Sequence, residues 1–245
     1  MMWSTIKSNP TVRSIALGAG PCLLLVSLMF VGCAAPNNAD RAGSEATTNR
    51  NAIQDHDNRR MLFESGIDYA EFVDNVNRRE EMWHRNTAKG EVPVDLIDRV
   101  KRARGQNPPL LHILAVAEDG CSDSANIVPY LAKFVGAIEG MDMRIVNSTV
   151  GRDVMQSHRT PDGREATPTI VVLDAEYREL GCLVERPKEL QDWALANKNE
   201  LPSSEFMKQK FSWYDQDLGK QSMSEIVTVI ENAGSELVNC GGSQK

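Results

Sequence analysis

Residues 110–124 read Leu110-Leu111-His112-Ile113-Leu114-Ala115-Val116-Ala117-Glu118-Asp119-Gly120-Cys121-Ser122-Asp123-Ser124. Leu110 to Ala117 is apolar except for His112, the pattern of a strand buried on both faces. Ala125 to Ile138 follows, with Ile127, Val128, Leu131, Phe134, Val135 and Ile138 at helical spacing and Pro129 inside the first turns. Cys121 therefore stands at a strand-to-helix corner. Ser124 occupies the position where a self-sufficient dithiol would carry its second cysteine. The chemistry to be explained is that of a lone corner thiol.

Upstream, residues 51–104 read as two helices. Ser65 or Asp68 caps a segment whose apolar stripe runs through Tyr69, Phe72, Val73 and Val76 and continues to Met82 and Trp83. Lys89-Gly90 breaks it, Pro93 opens a second helix through Val94, Leu96, Ile97 and Val100, and Pro108-Pro109 stops the chain. The basic cluster from Arg99 to Arg104 reads as a solvated helix end complementing the macrodipole rather than a binding patch.

Downstream, strands alternate with helices, which predicts an α/β layer structure. Met141 to Val146 is a strand, Asp153 to His158 a short helix, and Thr160-Pro161-Asp162-Gly163 a turn. Thr169 to Leu173 and Leu180 to Val184 read as hairpin partners, with Thr167-Pro168 leading into the first. Helices follow from Pro187, in part between Ser203 and Lys220, and from Met223 to Val238. Trp213 and Tyr214 read as packing for that last helix.

This order of elements resembles the thioredoxin fold, a central mixed sheet flanked by helices. The closer likeness is to bacterial thioredoxin-like proteins whose active segment reads roughly Glu-Asp-Trp-Cys-Gly-Asp-Ser, matched here by Glu118-Asp119-Gly120-Cys121-Ser122-Asp123-Ser124 with Pro129 in the helix. Thr167-Pro168 and the segment Gly181 to Arg186-Pro187 match two further family features. The resemblance spans roughly residues 60 to 238 and implies a cis Thr167-Pro168 peptide whose backbone docks substrate beside Cys121. Gly120 and Leu183 depart from the pattern, each standing where the family carries tryptophan. A wider or more mobile mouth is the expectation from those departures.

A thiol at a helix start is favoured as thiolate by backbone amides. Glu118, Asp119 and Asp123 are placed to oppose that, and the loop holds no Lys, Arg or His. Without a second cysteine, Ser124 offers only a hydrogen bond to the sulfur, so Cys121 has to wait for an external thiol. That implies isomerase, reductase or deglutathionylating exchange, or covalent capture, with protein or small thiols and disulfides as partners. Cys182 reads as a packed strand thiol and Cys240 as an exposed one near the carboxyl terminus. No cofactor is implied. His56, His84, His112 and His158 are scattered without zinc spacing, so no metal site is expected, and His112 reads as a core histidine.

Lys7 and Arg13 are the only charges before Asp40, and Ile15 to Gly32 is mostly apolar, ending in Phe30-Val31-Gly32-Cys33. This resembles a bacterial lipoprotein signal, in which Cys33 is acylated; the alternative is an uncleaved membrane anchor. The expected organisation is signal or anchor over 1–32, tether over 33–50, helical extension over 51–105 and thioredoxin-like domain with C-terminal helices over 106–240. Localisation is then the bacterial cell envelope, membrane-tethered on the extracytoplasmic, periplasmic side. The formal net charge is −7, and removing 1–32 with its two cations makes it −9. Such an acidic chain lacks the electrostatic footprint of nucleic-acid binding. Cys121 as nucleophile, Ser124 as its partner and Thr167 and Pro168 as substrate dock make up the expected site. The alternative is a redox-inactive binding module or structural envelope lipoprotein that keeps the fold without turnover.

Overall fold

The computed structural model describes residues 56–106 and 108–233. The signal, the tether, Cys33 and Cys240 lie outside them. Among the described residues no helix is long and apolar enough to cross a membrane.

Four strands form one sheet in the order β2-β1-β3-β4. β1 is Leu111–Val116, β2 Met141–Val146, β3 Thr169–Leu173 and β4 Glu179–Val184. β1 runs parallel to β2 and antiparallel to β3, and β3 pairs antiparallel with β4. The mixed sheet follows from the connections, since a helix is needed to return the chain for a parallel neighbour while a short loop suffices for the hairpin.

Alternate strand residues serve opposite faces. Ile113, Ala115, Ile170 and Val172 enter the larger core, while Leu114, Val116, Val171 and Leu173 enter a smaller one with Phe63, Val154 and Met155. The helices are α1 over 56–65, α2 Tyr69–Asp74, α3 Glu80–Lys89, α4 Val94–Arg104, α5 Ser122–Gly136, α6 Arg152–Ser157, α7 Lys188–Asn197, α8 Ser203–Asp217 and α9 Lys220–Glu231. Residues of α3, α4, α5 and α9 share the larger core, among them Trp83, Val100, Phe134 and Ile226. The helices ahead of the sheet are thus packed into the same interior as the sheet itself. The basic end of α4 is engaged rather than merely solvated. Arg99 pairs with Glu231 at 2.7 Å, and the Arg104 guanidinium donates to the carbonyls of Pro109, Glu139 and Gly140.

Two sequence boundaries shift for identifiable reasons. The stripe from Tyr69 to Trp83 is broken into α2 and α3, because the amides of Asn77 and Arg78 turn away to bind the Asp119 carboxylate, each at 3.1 Å. Arg79 then adopts a left-handed φ of 55° before α3 begins. α5 starts at Ser122, three residues ahead of its apolar stripe, because Cys121 caps it.

Pro129 sits inside α5 and has no amide hydrogen, so the Ala125 carbonyl loses the donor that position i+4 would supply. Asn86 of α3 replaces it, its Nδ2 donating to the Ala125 oxygen at 2.7 Å and to Asn126 Oδ1 at 3.0 Å. Asn86 is itself buried. Substituting Asn86→Ala leaves the carbonyl without a partner inside the core, and we expect a loss of about 1–3 kcal/mol in stability, read from urea unfolding.

Candidate active site

Cys121 is the N-cap of α5 and is partly exposed. Its thiol donates to the Thr167 carbonyl at 3.1 Å, and the Ser124 amide donates to Sγ at 3.5 Å. The Thr167–Pro168 peptide is cis. The start of α5 and the entry to β3 therefore meet at the sulfur, bringing Cys121, Ser124, Thr167 and Pro168 together. Ser124 contributes differently from its sequence reading. Its backbone faces the sulfur, whereas its hydroxyl, fully buried, accepts from the Glu118 amide at 3.5 Å.

The three acidic neighbours of the thiol are each occupied. Glu118 Oε1 accepts from the Ser148 amide at 2.8 Å, and Asp119 Oδ2 accepts the two amides of the α2–α3 turn. Asp123 is turned into the protein, where it is 6% exposed. Arg186 reaches it through Nε and Nη2, both at 3.2 Å. Lys210 Nζ lies 3.2 and 3.1 Å from its two oxygens and also donates to Ser122 Oγ, while the Tyr214 hydroxyl donates to Oδ1 at 2.7 Å. The carboxylate that sequence reading set against the thiol is thus neutralised by two cations, Lys210 buried and Arg186 partly buried.

The electrostatics follow from these contacts. Burial pushes the Asp123 carboxyl up, but the charges of Lys210 and Arg186 and the bonds from Tyr214 and Arg186 outweigh it and hold it below the usual carboxylate range. Burial and the Asp123 charge raise the Tyr214 phenol well above its ordinary value. Tyr214 is therefore more than packing for the last helix, since it donates into the site.

The cluster also reaches the proline. Glu185, with a left-handed φ of 64°, pairs with Arg186 at 2.9 Å and accepts two bonds from Arg164, while its amide donates to the Pro168 carbonyl at 2.8 Å. One buried network therefore positions both halves of the site. Arg186, Lys210 and Tyr214 were not expected as site residues. Arg186 lies in the matched Gly181 to Pro187 segment, while the other two left only a faint signal. Lys210 falls four residues after Phe206 and four before Tyr214, a polar group on what would otherwise be an apolar helical stripe.

The mouth is not left open at Gly120. A Cβ there would lie 2.4 Å from Arg78 Cζ, so the guanidinium fills the space above the glycine. Arg79 Nε donates to the Gly120 carbonyl at 2.7 Å, and the buried Trp83 indole donates to the Asp119 carbonyl at 2.9 Å. The wall beside the thiol is supplied by the α2–α3 turn rather than by a residue adjacent to Cys121.

The remaining ligand-type groups lie elsewhere. His158, Glu179 and Cys182 bring their ligand atoms within 4.8 Å of one another, a convergence hidden by their separation in sequence. Cys182 packs against the smaller core as its reading as a packed strand thiol expects, but it is disulfide-bonded rather than a thiol, which removes it as a ligand. His158 is engaged through both ring nitrogens, with the Val154 carbonyl at 2.7 Å and Glu179 at 2.6 Å. The His158 ring nitrogens are thus both taken up by oxygen acceptors of the fold. His112 is satisfied by Asp142 at 2.6 Å and stacks on Tyr177.

The sequence matches the family model described as thioredoxin over residues 66–203, more than half of its 245 residues. The chain belongs to the thioredoxin family. Among solved structures, it is similar to a protein of unknown function from Pseudomonas aeruginosa, 24% identical with a TM-score of 0.54, the match covering 71% of this chain and 96% of that one. An HIV epitope scaffold is 20% identical with a TM-score of 0.53, over 71% of this chain and 98% of the scaffold. These likenesses concern the fold alone. No curated protein matches the chain.

Asp123 makes acid stability a readout of the cluster. Its carboxyl titrates lower in the folded than in the unfolded chain, so its contribution is complete above the ordinary carboxylate value near pH 4 and is lost as pH falls through the depressed folded value. Asp123→Asn leaves the buried Lys210 without a counterion and Arg186 with Glu185 alone, at a cost of about 3–5 kcal/mol at neutral pH. The wild type should lose stability more steeply than this variant as pH is lowered below about 4, measured by denaturant unfolding across pH.

Proposed function

We propose that this protein exchanges thiols and disulfides through Cys121 by a monothiol route, tethered outside the cytoplasm of a bacterial cell. The observation that carries the reading is a partly exposed thiol at a helix start, 3.1 Å from the carbonyl that precedes a cis proline. Membership of the thioredoxin family supports a redox role in general terms.

The Cys121 thiolate attacks one sulfur of a substrate disulfide R–S–S–R′. The new bond is Cys121–S–S–R, the old S–S bond breaks, and R′S⁻ leaves with the electron pair and takes up a proton. The Ser124 amide faces the attacking sulfur. An extended substrate displaces the thiol hydrogen bond and pairs with the partly exposed backbone at Thr167, as strand addition would provide. Ser124 has no sulfur with which to break the intermediate, so a further thiol R″S⁻ attacks the substrate sulfur, forms R–S–S–R″ and releases Cys121. When R″ belongs to the same substrate chain, the outcome is isomerisation with no net redox change.

Acid quenching of cells should trap covalent partners on the wild type, releasable by reductant and absent from Cys121→Ser. Ser124→Cys supplies a resolving thiol and should lower the trapped fraction severalfold. If no partner depends on Cys121, and its alkylation at neutral pH is no faster than that of free cysteine, the protein is a binding module that retains the groove without turnover.

The apolar run before Phe30-Val31-Gly32-Cys33 supports a lipid anchor on Cys33. Mass spectrometry of the membrane fraction should find an acylated Cys33 as the mature amino terminus, and Cys33→Ser should abolish that species. An intact amino terminus in the wild type would mean an uncleaved anchor instead.

A further inference from the structure

The α2–α3 turn carries two arginines to the shoulder of the thiol, and most of their guanidinium donors are not consumed there. The Arg78 amide is fixed on Asp119, while its guanidinium lies over Gly120, with Cζ, Nη1 and Nε respectively 2.4, 2.6 and 2.7 Å from where a Cβ would stand. Among the described residues that guanidinium has neither a hydrogen bond nor an ion pair. Arg78 is exposed, as is Arg79, whose Nε alone is used, on the Gly120 carbonyl. The nearby carboxylates are all engaged: Glu118 by the Ser148 amide, Asp119 by two amides, and Asp123 by its two cations and Tyr214. What the rim offers an incoming molecule next to Cys121 is guanidinium N–H, which matches carboxylate in both charge and fork geometry.

We infer that Arg78 selects disulfides that carry a carboxylate close to the sulfur that becomes bonded to Cys121. This rests on the thiol-exchange reading and names its substrate class. In the attack on R–S–S–R′ described above, R stays on Cys121 and R′S⁻ leaves, so the carboxylate of R remains opposite Arg78 throughout the mixed disulfide. A glycine at 120 permits this arrangement, because any side chain there would evict the guanidinium.

The test is the rate at which the full-length protein reacts through Cys121 with three disulfide probes, taken as the component lost in Cys121→Ser. The probes are dithiobis(nitrobenzoate), which is anionic, hydroxyethyl disulfide, which is neutral, and cystamine, which is cationic. Arg78→Gln should slow the anionic probe by about two- to fivefold, the range expected for one exposed charge pair. It should leave the neutral probe unchanged and speed cystamine, and Arg78→Lys should recover most of the anionic rate. Raising salt from about 0.05 to 1 M should shrink the wild-type preference towards that of Arg78→Gln, since the screening length falls to about 3 Å. Oxidised glutathione and a disulfide-linked peptide with glutamates beside its cysteine, run in parallel, separate a small-molecule from a protein source. A loss for either in Arg78→Gln upholds the inference, and a loss for neither overturns it. Equal slowing of all three probes would also overturn it, by assigning Arg78 a structural role only. Failure of the exchange reading looks different, because then Cys121 reacts with none of the probes in the wild type.

Discussion

The site depends on one buried carboxylate. Asp123 is held by Arg186 at the end of the hairpin and by Lys210 and Tyr214 of α8, so the first turn of α5 is fastened to two elements distant in sequence. Burying a charge is costly unless it is paired and fully bonded, and pairs of this kind contribute specificity of arrangement more than net stability. Here the arrangement is the placement of Cys121 against Thr167. Through Glu185 the same network takes hold of the Pro168 carbonyl, so the two halves of the site cannot drift apart without breaking a buried charge pair.

A second set of contacts comes from the helices ahead of the sheet. Asn86 supplies the hydrogen that Pro129 lacks, Trp83 holds the Asp119 carbonyl, and the 77–78 amides hold its carboxylate. Each is a donor offered to a backbone or carboxylate oxygen of the segment on either side of Cys121. The oxygens of that segment are satisfied from outside itself.

The architecture was largely legible in the sequence. The apolar run 110–117, the stripe of α5 and the hairpin 169–184 each carry a local period, and period is what a single sequence displays. The corner cysteine and Thr167-Pro168 were legible for the same reason, being short motifs at element boundaries. The cluster around Asp123 was not, because its partners lie 63 to 91 residues away and a charged side chain looks the same in sequence whether it faces solvent or a buried partner. The acidic loop consequently read as hostile to a thiolate. Two out-of-place residues were the available clues, Lys210 and Asn86, each a polar group standing where its helix would otherwise present an apolar face.

The use of Asn86 to complete a proline-broken turn has a consequence for where this chain can be divided. A cut near residue 105, where the alternating strands and helices begin, would strip donors from the Ala125 carbonyl, the Asp119 carbonyl and the Asp119 carboxylate together. All three flank Cys121. The strand and helix segments downstream of such a cut would retain every element of the sheet yet carry a frayed nucleophile, so the smallest portable unit of this site begins no later than the α2–α3 turn, not at β1.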